Sequence, residues 1–252
     1  MHFDAESILE QLSAVDAERQ RRRGAPELAL RVGAIKHYQQ QRFTHTYADL
    51  LGSTRYGAAA RFFLDELYGP RDFSERDAQF ARVVPAMVRL FPQEIIDVVG
   101  TLAQLHALSE RLDSAMAENL PRCEVNAQIY TVAWQASGQP AQREQQIALT
   151  LEVGASLDRL VRQPLLRHSL RLMRAPARAA GLADLQRFLE NGFDTFRAMR
   201  GAAEFLGNVA QRERALVGAL YQADAADLAS LSVVERLLPP DPSDPSAAIK
   251  PR

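Results

Sequence analysis

Residues 92–118 read PQEIIDVVGTLAQLHALSERLDSAMAE. Pro92 is tolerated at a helix start because its missing N–H costs nothing there. The spacing predicts a helix from Pro92 to about Glu118. Ile95 to Leu112 is the most apolar stretch of the chain, yet Asp97, Gln104, His106, Glu110 and Arg111 interrupt it. A membrane span needs about 20 predominantly apolar residues, so this helix is not one. The rest of the sequence agrees. Of the 252 residues, 40 are Ala and 32 Leu, against 15 Val, 7 Ile and 7 Thr. Ala and Leu favour helices, whereas β-branched residues favour strands. A sandwich, a barrel and a parallel sheet are therefore disfavoured. The 47% hydrophobic content and net charge of −1 argue against disorder.

Outward from that helix, punctuation residues divide the chain. A first helix starts after Asp4, with Ile8, Leu9, Leu12 and Val15 as one stripe, and stops at Gly24. The next runs from Pro26 to Leu51, with Gly52 as its C′ residue. A third covers Gly57 to Tyr68 and ends at Gly69-Pro70. Ser74 reads as an N-cap with Asp77 at N3, and Pro85 as a kink in the helix that follows. Pro121 opens a helix ending at Gly138. Others cover 141–162, 165–173, one or two pieces within 182–221, and 225–237. The fold class is thus all-α, a single bundle of about eight to ten helices, some Pro-kinked. The expected organisation is an N-terminal amphipathic helix (1–24), a helical domain (25–238) with a subdomain break available near 138–140, and a disordered tail (239–252).

No catalytic constellation emerges. None of the five histidines follows a Glu by three positions, and HExxH, GxSxG and calcium-loop patterns are absent. No metal site and no catalytic residue is predicted. The lone Cys123 reads as a small buried hydrophobe. His106, between Leu105 and Leu108, reads first as a partly buried histidine; haem ligation is the alternative. The strongest charge feature comprises Arg159, Arg162, Arg167, Arg171, Arg174 and Arg178, with no acid between Asp158 and Asp184. The last four follow steps of four, three and four, which places them on one helical face. This is either a strip for nucleic acid, anionic lipid or an acidic partner, or a solvated face paired with acidic helices elsewhere. No helix-turn-helix spacing supports nucleic acid.

Residues 61–77, RFFLDELYGPRDFSERD, form a helix-loop-helix corner in which Asp72 and Arg76 can pair. It is either a stiff structural corner or a polar pocket in which Tyr68, Arg71 and Arg76 grip an anion. The string FFLDELYGPRDFSERD (62–77), with RFTHTYADLLGSTRYGAAA (42–60) and MRAPARAAGLADLQRFLENGFDTFRAMRGAAEFL (173–206), resembles a proteobacterial family of uncharacterised helical proteins. The resemblance spans about residues 27–221. It implies a bacterial, cytoplasmic, helical protein and carries over no catalytic residue.

The leading functional expectation is a non-catalytic regulatory or protein-interaction module, with a protein partner or self-association. The alternatives are a binding protein for haem or another hydrophobic or anionic small ligand, and a nucleic-acid or anionic-lipid binder acting through residues 159–178.

Overall fold

The computed structural model describes residues 2–67, 73–224, 234 and 237–240. Those residues form helices and turns, with no strand among them. In chain order the helices are α1 (Ala5–Arg23), α2 (Pro26–Thr46), α3 (Ala48–Gly52), α4 (Gly57–Phe62), a π-helical turn (Phe63–Leu67), α5 (Ser74–Leu90) and α6 (Gln93–Glu118). They continue as α7 (Ala127–Ser137), α8 (Pro140–Leu160), α9 (Pro164–Leu172), α10 (Arg174–Ala179), α11 (Ala183–Ala198) and α12 (Ala203–Gln222).

Local chemistry explains most boundaries. The Asp4 carboxylate accepts the Ser7 N–H at 2.9 Å, while the Ser7 hydroxyl accepts the Asp4 N–H at 3.1 Å. That reciprocal pair satisfies two donors that would otherwise lack partners at the start of α1. Gly138 ends α7 at φ +60°, a left-handed geometry that glycine adopts without a Cβ clash. Arg200 and Gly201 also take positive φ and separate α11 from α12.

Several boundaries differ from the sequence reading. The helix expected to run from Pro26 to Leu51 breaks at Tyr47, whose φ −113° and ψ 23° leave the helical region. Gly52 is the last residue of α3 rather than a left-handed C′. Ser74 is the first helical residue of α5; Phe73 is the N-cap and supplies no side-chain bond. The α5 helix runs through Pro85. α7 begins at Ala127 rather than at Pro121, and the side chain of its N-cap Asn126 accepts the Ile129 N–H at 2.9 Å. Pro176 lies inside α10. Cys123 is exposed, not buried. The Tyr68–Asp72 corner, most of the 225–237 helix and residues 241–252 of the expected tail lie outside the described residues.

α6 organises the core. Met116 and Ala117 join Tyr38, Tyr130, Trp134 and Leu216 from α2, α7 and α12. Ile96 and Ala103 join Phe3, Ile8, Leu12 and Val84. Leu105, Leu108 and Leu112 meet Leu149 of α8. Burying one such Leu or Ile side chain stabilises the fold by about 1.5–3 kcal/mol before entropy is counted. A further cluster joins Tyr47 and Tyr56, which precede α3 and α4, to Ala59 of α4, Phe193 and Phe196 of α11 and Phe205 of α12. Packing therefore crosses the 138–140 turn: Trp134 on one side meets Leu216 on the other.

Charges cross the core as well. Arg22 of α1 and Lys36 of α2 converge on Glu110 of α6, with Lys36 Nζ 2.6 Å from Glu110 Oε1. Burial acts to raise the Glu110 carboxyl, but Lys36 and Arg22 outweigh it and hold it down to about 2.

Candidate functional site

Four helices each turn one face toward a cavity of about 80 Å3. α8 contributes Arg143, Gln146, Ile147 and Thr150, spaced i, i+3, i+4, i+7, which is one helical stripe. α2 contributes Gln39, Arg42 and Phe43 by the same spacing, and α7 contributes Tyr130 and Trp134 four residues apart. α12 closes the cavity with Phe205, Leu206, Val209, Glu213 and Val217. The polar end joins Arg42, Tyr130, Arg143 and Gln146 with Glu213 of α12, and the rest of the lining is largely apolar.

The two arginines at the polar end differ sharply. Arg42 is 5% exposed and pairs through Nη1 with Glu213 Oε1, which also accepts the Tyr47 hydroxyl at 2.6 Å. Burial acts against its charge, but Glu213, Tyr130 and Tyr47 outweigh that and hold the guanidinium above its ordinary range. Arg143 is 2% exposed, and no carboxylate among the described residues forms an ion pair with it. Its Nη1 reaches Gln146 Oε1 at 3.3 Å, and its guanidinium lies 4.0 Å over the Trp134 ring. Nε and Nη2 have no hydrogen-bond partner among the described residues. Burial pushes Arg143 below its ordinary range, against the pull of Tyr130, Asp113 and Tyr221. Arginine stays charged in proteins even so.

Tyr130 adds a second unsatisfied group. Its hydroxyl is buried without a partner among the described residues, and burial raises the phenol. Its ring lies 4.7 Å from Tyr38 and 5.8 Å from Trp134. Each buried polar group without a partner costs about 1–3 kcal/mol, more for a charged group. Water or a ligand in the cavity can recover that cost.

A second cavity, of about 110 Å3, lies among α5, α6, α8 and α11. Its walls include Phe80, Val99, Leu105, Val153, Leu185 and Phe188. At its rim the His106 Nε2 lies 2.9 Å from Asp77 Oδ2, and Arg19 Nη2 lies 2.8 Å from the same oxygen. Burial acts to raise the Asp77 carboxyl, but the His106 bond and the Arg19 charge hold it below its ordinary value. One ring nitrogen of His106 is thus already engaged, and haem ligation through it requires Asp77 to leave.

The other sequence candidates separate. Tyr68 and Arg71 lie outside the described residues. Arg76 is held by the Glu66 carbonyl at 3.0 Å and the Glu66 carboxylate at 3.5 Å, between the Phe73 and Phe188 rings. It lines the second cavity, as His106 does. The four arginines expected on one helical face do not share one helix: Arg167 and Arg171 belong to α9, Arg174 and Arg178 to α10, and the chain breaks between them at Met173. Four of the six strip arginines have acidic neighbours: Arg159 with Glu94 at 3.8 Å, Arg162 with Asp158 at 2.6 Å, Arg167 with Asp194 at 2.9 Å, and Arg174 with Glu190 at 2.6 Å. Arg171 and Arg178 form no ion pair among the described residues. Sequence reasoning missed Arg143, Tyr130 and Trp134. The α8 stripe and the single Trp of the chain were the available signals.

None of the helices is long and apolar enough to cross a membrane, among the described residues. Comparison with curated proteins and with solved structures gives no match. One family model, Domain of unknown function (DUF8198), matches residues 18–227. With that match over most of its length, the chain belongs to this uncharacterised family of all-helical proteins.

Proposed function

We propose that the domain binds an amphipathic carboxylate, with the anion at Arg143 and Tyr130 and the apolar body against Ile147, Phe205 and Val209. The observation that carries this reading is the unpaired Arg143 guanidinium lining a cavity. A desolvated cation with no carboxylate at ion-pair distance among the described residues is costly, and an arriving carboxylate supplies the missing acceptor in planar, two-pronged geometry. Apolar pockets with a few convergent polar groups are the usual form of small-ligand sites.

Trp134 reports directly on the site, because it is the only tryptophan and lies under Arg143. Titration with octanoate should change its fluorescence saturably. Octan-1-ol should bind at least tenfold more weakly, since a charge-assisted hydrogen bond is worth about 1.5–3 kcal/mol. Equal binding of acid and alcohol, or no response to either, would refute the reading.

A second reading, attachment to an anionic lipid surface, has its own observation. Leu165, Leu172 and Met173 are 80%, 65% and 47% exposed beside the unpaired Arg171 and Arg178. Exposed apolar groups flanked by Arg suit a headgroup boundary. Flotation with anionic but not zwitterionic vesicles, weakening with salt, tests it; equal flotation with both removes the charge argument.

A further inference from the structure

The two cavities are neighbours. Phe63 and Thr150 line both of them. The partition is reinforced by Gln146, a wall of the first, whose Nε2 donates to Ser109 Oγ of the second at 2.8 Å. Thr150 spends its hydroxyl on the Gln146 carbonyl at 2.8 Å. Phe63 opens the π-helical turn Phe63–Leu67. Its ring stands 5.8 Å from both Phe196 and Phe205 and is only half buried. A π-helical turn is rare and concentrates at functional positions, because it re-aims a side chain at a cost in regular hydrogen bonding.

We infer that the cavities are two halves of one channel gated by the Phe63 ring, and that the ligand is a medium-chain fatty acid of about a dozen carbons. This rests on the carboxylate reading above and specifies its ligand. The carboxylate sits at Arg143, the chain passes Phe63, and the terminal methyl reaches Val99, Val153 and Leu185. α8 sets the scale. It lines the first cavity from Arg143 to Thr150 and the second from Thr150 to Val153. At 1.5 Å per residue those positions span about 15 Å. An extended chain of about a dozen carbons, with bonds of ~1.5 Å in zigzag, covers that distance. A short acid fills only the first half and leaves the apolar walls of the second unused. The second cavity's charged rim, Arg76, Asp77 and His106, is internally paired, so it offers no competing seat for the head group.

Calorimetric titration with octanoate, decanoate and dodecanoate tests the channel. Affinity should rise roughly fourfold for each added methylene through dodecanoate. Dodecanoate labelled with carbon-13 at its terminal methyl should show nuclear Overhauser contacts to Val99, Val153 and Leu185. Octanoate binding without further gain, or methyl contacts confined to Ile147 and Val209, overturns the channel and leaves the carboxylate site standing. Failure of octanoate and dodecanoate alike to bind overturns both.

Discussion

Replacing Glu110 by Gln should destabilise the fold at neutral pH and flatten its response to acid. Glu110 is the hub at which α1, α2 and α6 meet. Its side chain is 5% exposed and accepts from Arg22 and Lys36. Its folded value of about 2 against an ordinary 4.5 corresponds to about 3 kcal/mol of stability. The sign follows from the depressed folded value. That stability is fully present above about 4.5 and is lost as pH falls toward 2. Asp113 acts in the opposite sense. Burial raises its carboxyl against the opposing charge of Lys36, so protonating it relieves a penalty and offsets part of the loss. Glu110→Gln keeps the shape but leaves the Arg22 and Lys36 charges short of a counter-charge. Breaking a buried pair this way costs about 3–5 kcal/mol. Lys36 is 22% exposed and retains Asp113 at 3.8 Å, which places the expected cost at the lower end. Urea unfolding followed by circular dichroism, at neutral pH and at steps down to about pH 3, measures both quantities. A variant within about 0.5 kcal/mol of the parent at neutral pH, or one with an unchanged acid slope, would refute the assignment of Glu110 as the acid-sensitive hub.

Other expectations follow from equally local geometry. Arg143→Met should abolish octanoate binding while leaving stability unchanged or raising it by roughly 1–4 kcal/mol, since a buried charge without a partner is replaced by a packed apolar chain; a thermal melt lowered by several degrees would make Arg143 structural. Gly57→Ala should cost about 1–3 kcal/mol in urea unfolding, because a Cβ there would stand 2.7 Å from the Leu51 carbonyl oxygen, which cannot swing aside as a side chain could. The double change Arg171→Glu and Arg178→Glu should leave the melting temperature within a degree or two yet abolish flotation with anionic vesicles, whereas loss of folding would show that these arginines hold the fold.

Helix existence was legible in the sequence because each long helix carries its own periodic stripe and its own stop. Gly24 and Gly138 ended helices where expected, and Pro92 opened one. The misread boundaries share a cause. Ser74 has the chemistry of an N-cap, yet Phe73 occupies that position, and the Asp77 carboxylate reads as the N3 partner of a capping box but is committed to Arg19 and His106. Tertiary partners decided both, and the sequence does not display them. The candidate site was hidden for the same reason. Arg143 looks like one of 28 ordinary arginines, and nothing nearby in sequence distinguishes it from Arg159. The acid-free strip drew attention instead, although its acids arrive from Glu94, Glu190 and Asp194 on other helices.

The contrast among buried arginines is the strongest ground for a binding role. Arg22, Arg42 and Arg143 are 8%, 5% and 2% exposed. Each sits where desolvation is expensive. Arg22 is met by Glu110 and two bonds to Ser114, and Arg42 by Glu213. A fold that needed Arg143 only as a strut had the same remedy available, since one acidic residue on α2 or α12 would have completed it. Trp134 gives the guanidinium a face to lie on, Gln146 gives it one weak acceptor, and Asp113 attracts it without forming an ion pair. The unmet acceptor is also not a consequence of crowding, because space for it exists in the adjoining cavity. A cation packed on Trp134, 2% exposed and left beside an open volume is preorganised for an anion. Stability forgone at Arg143 is therefore expected to return as affinity, and Arg143→Met should lose the ligand without losing stability.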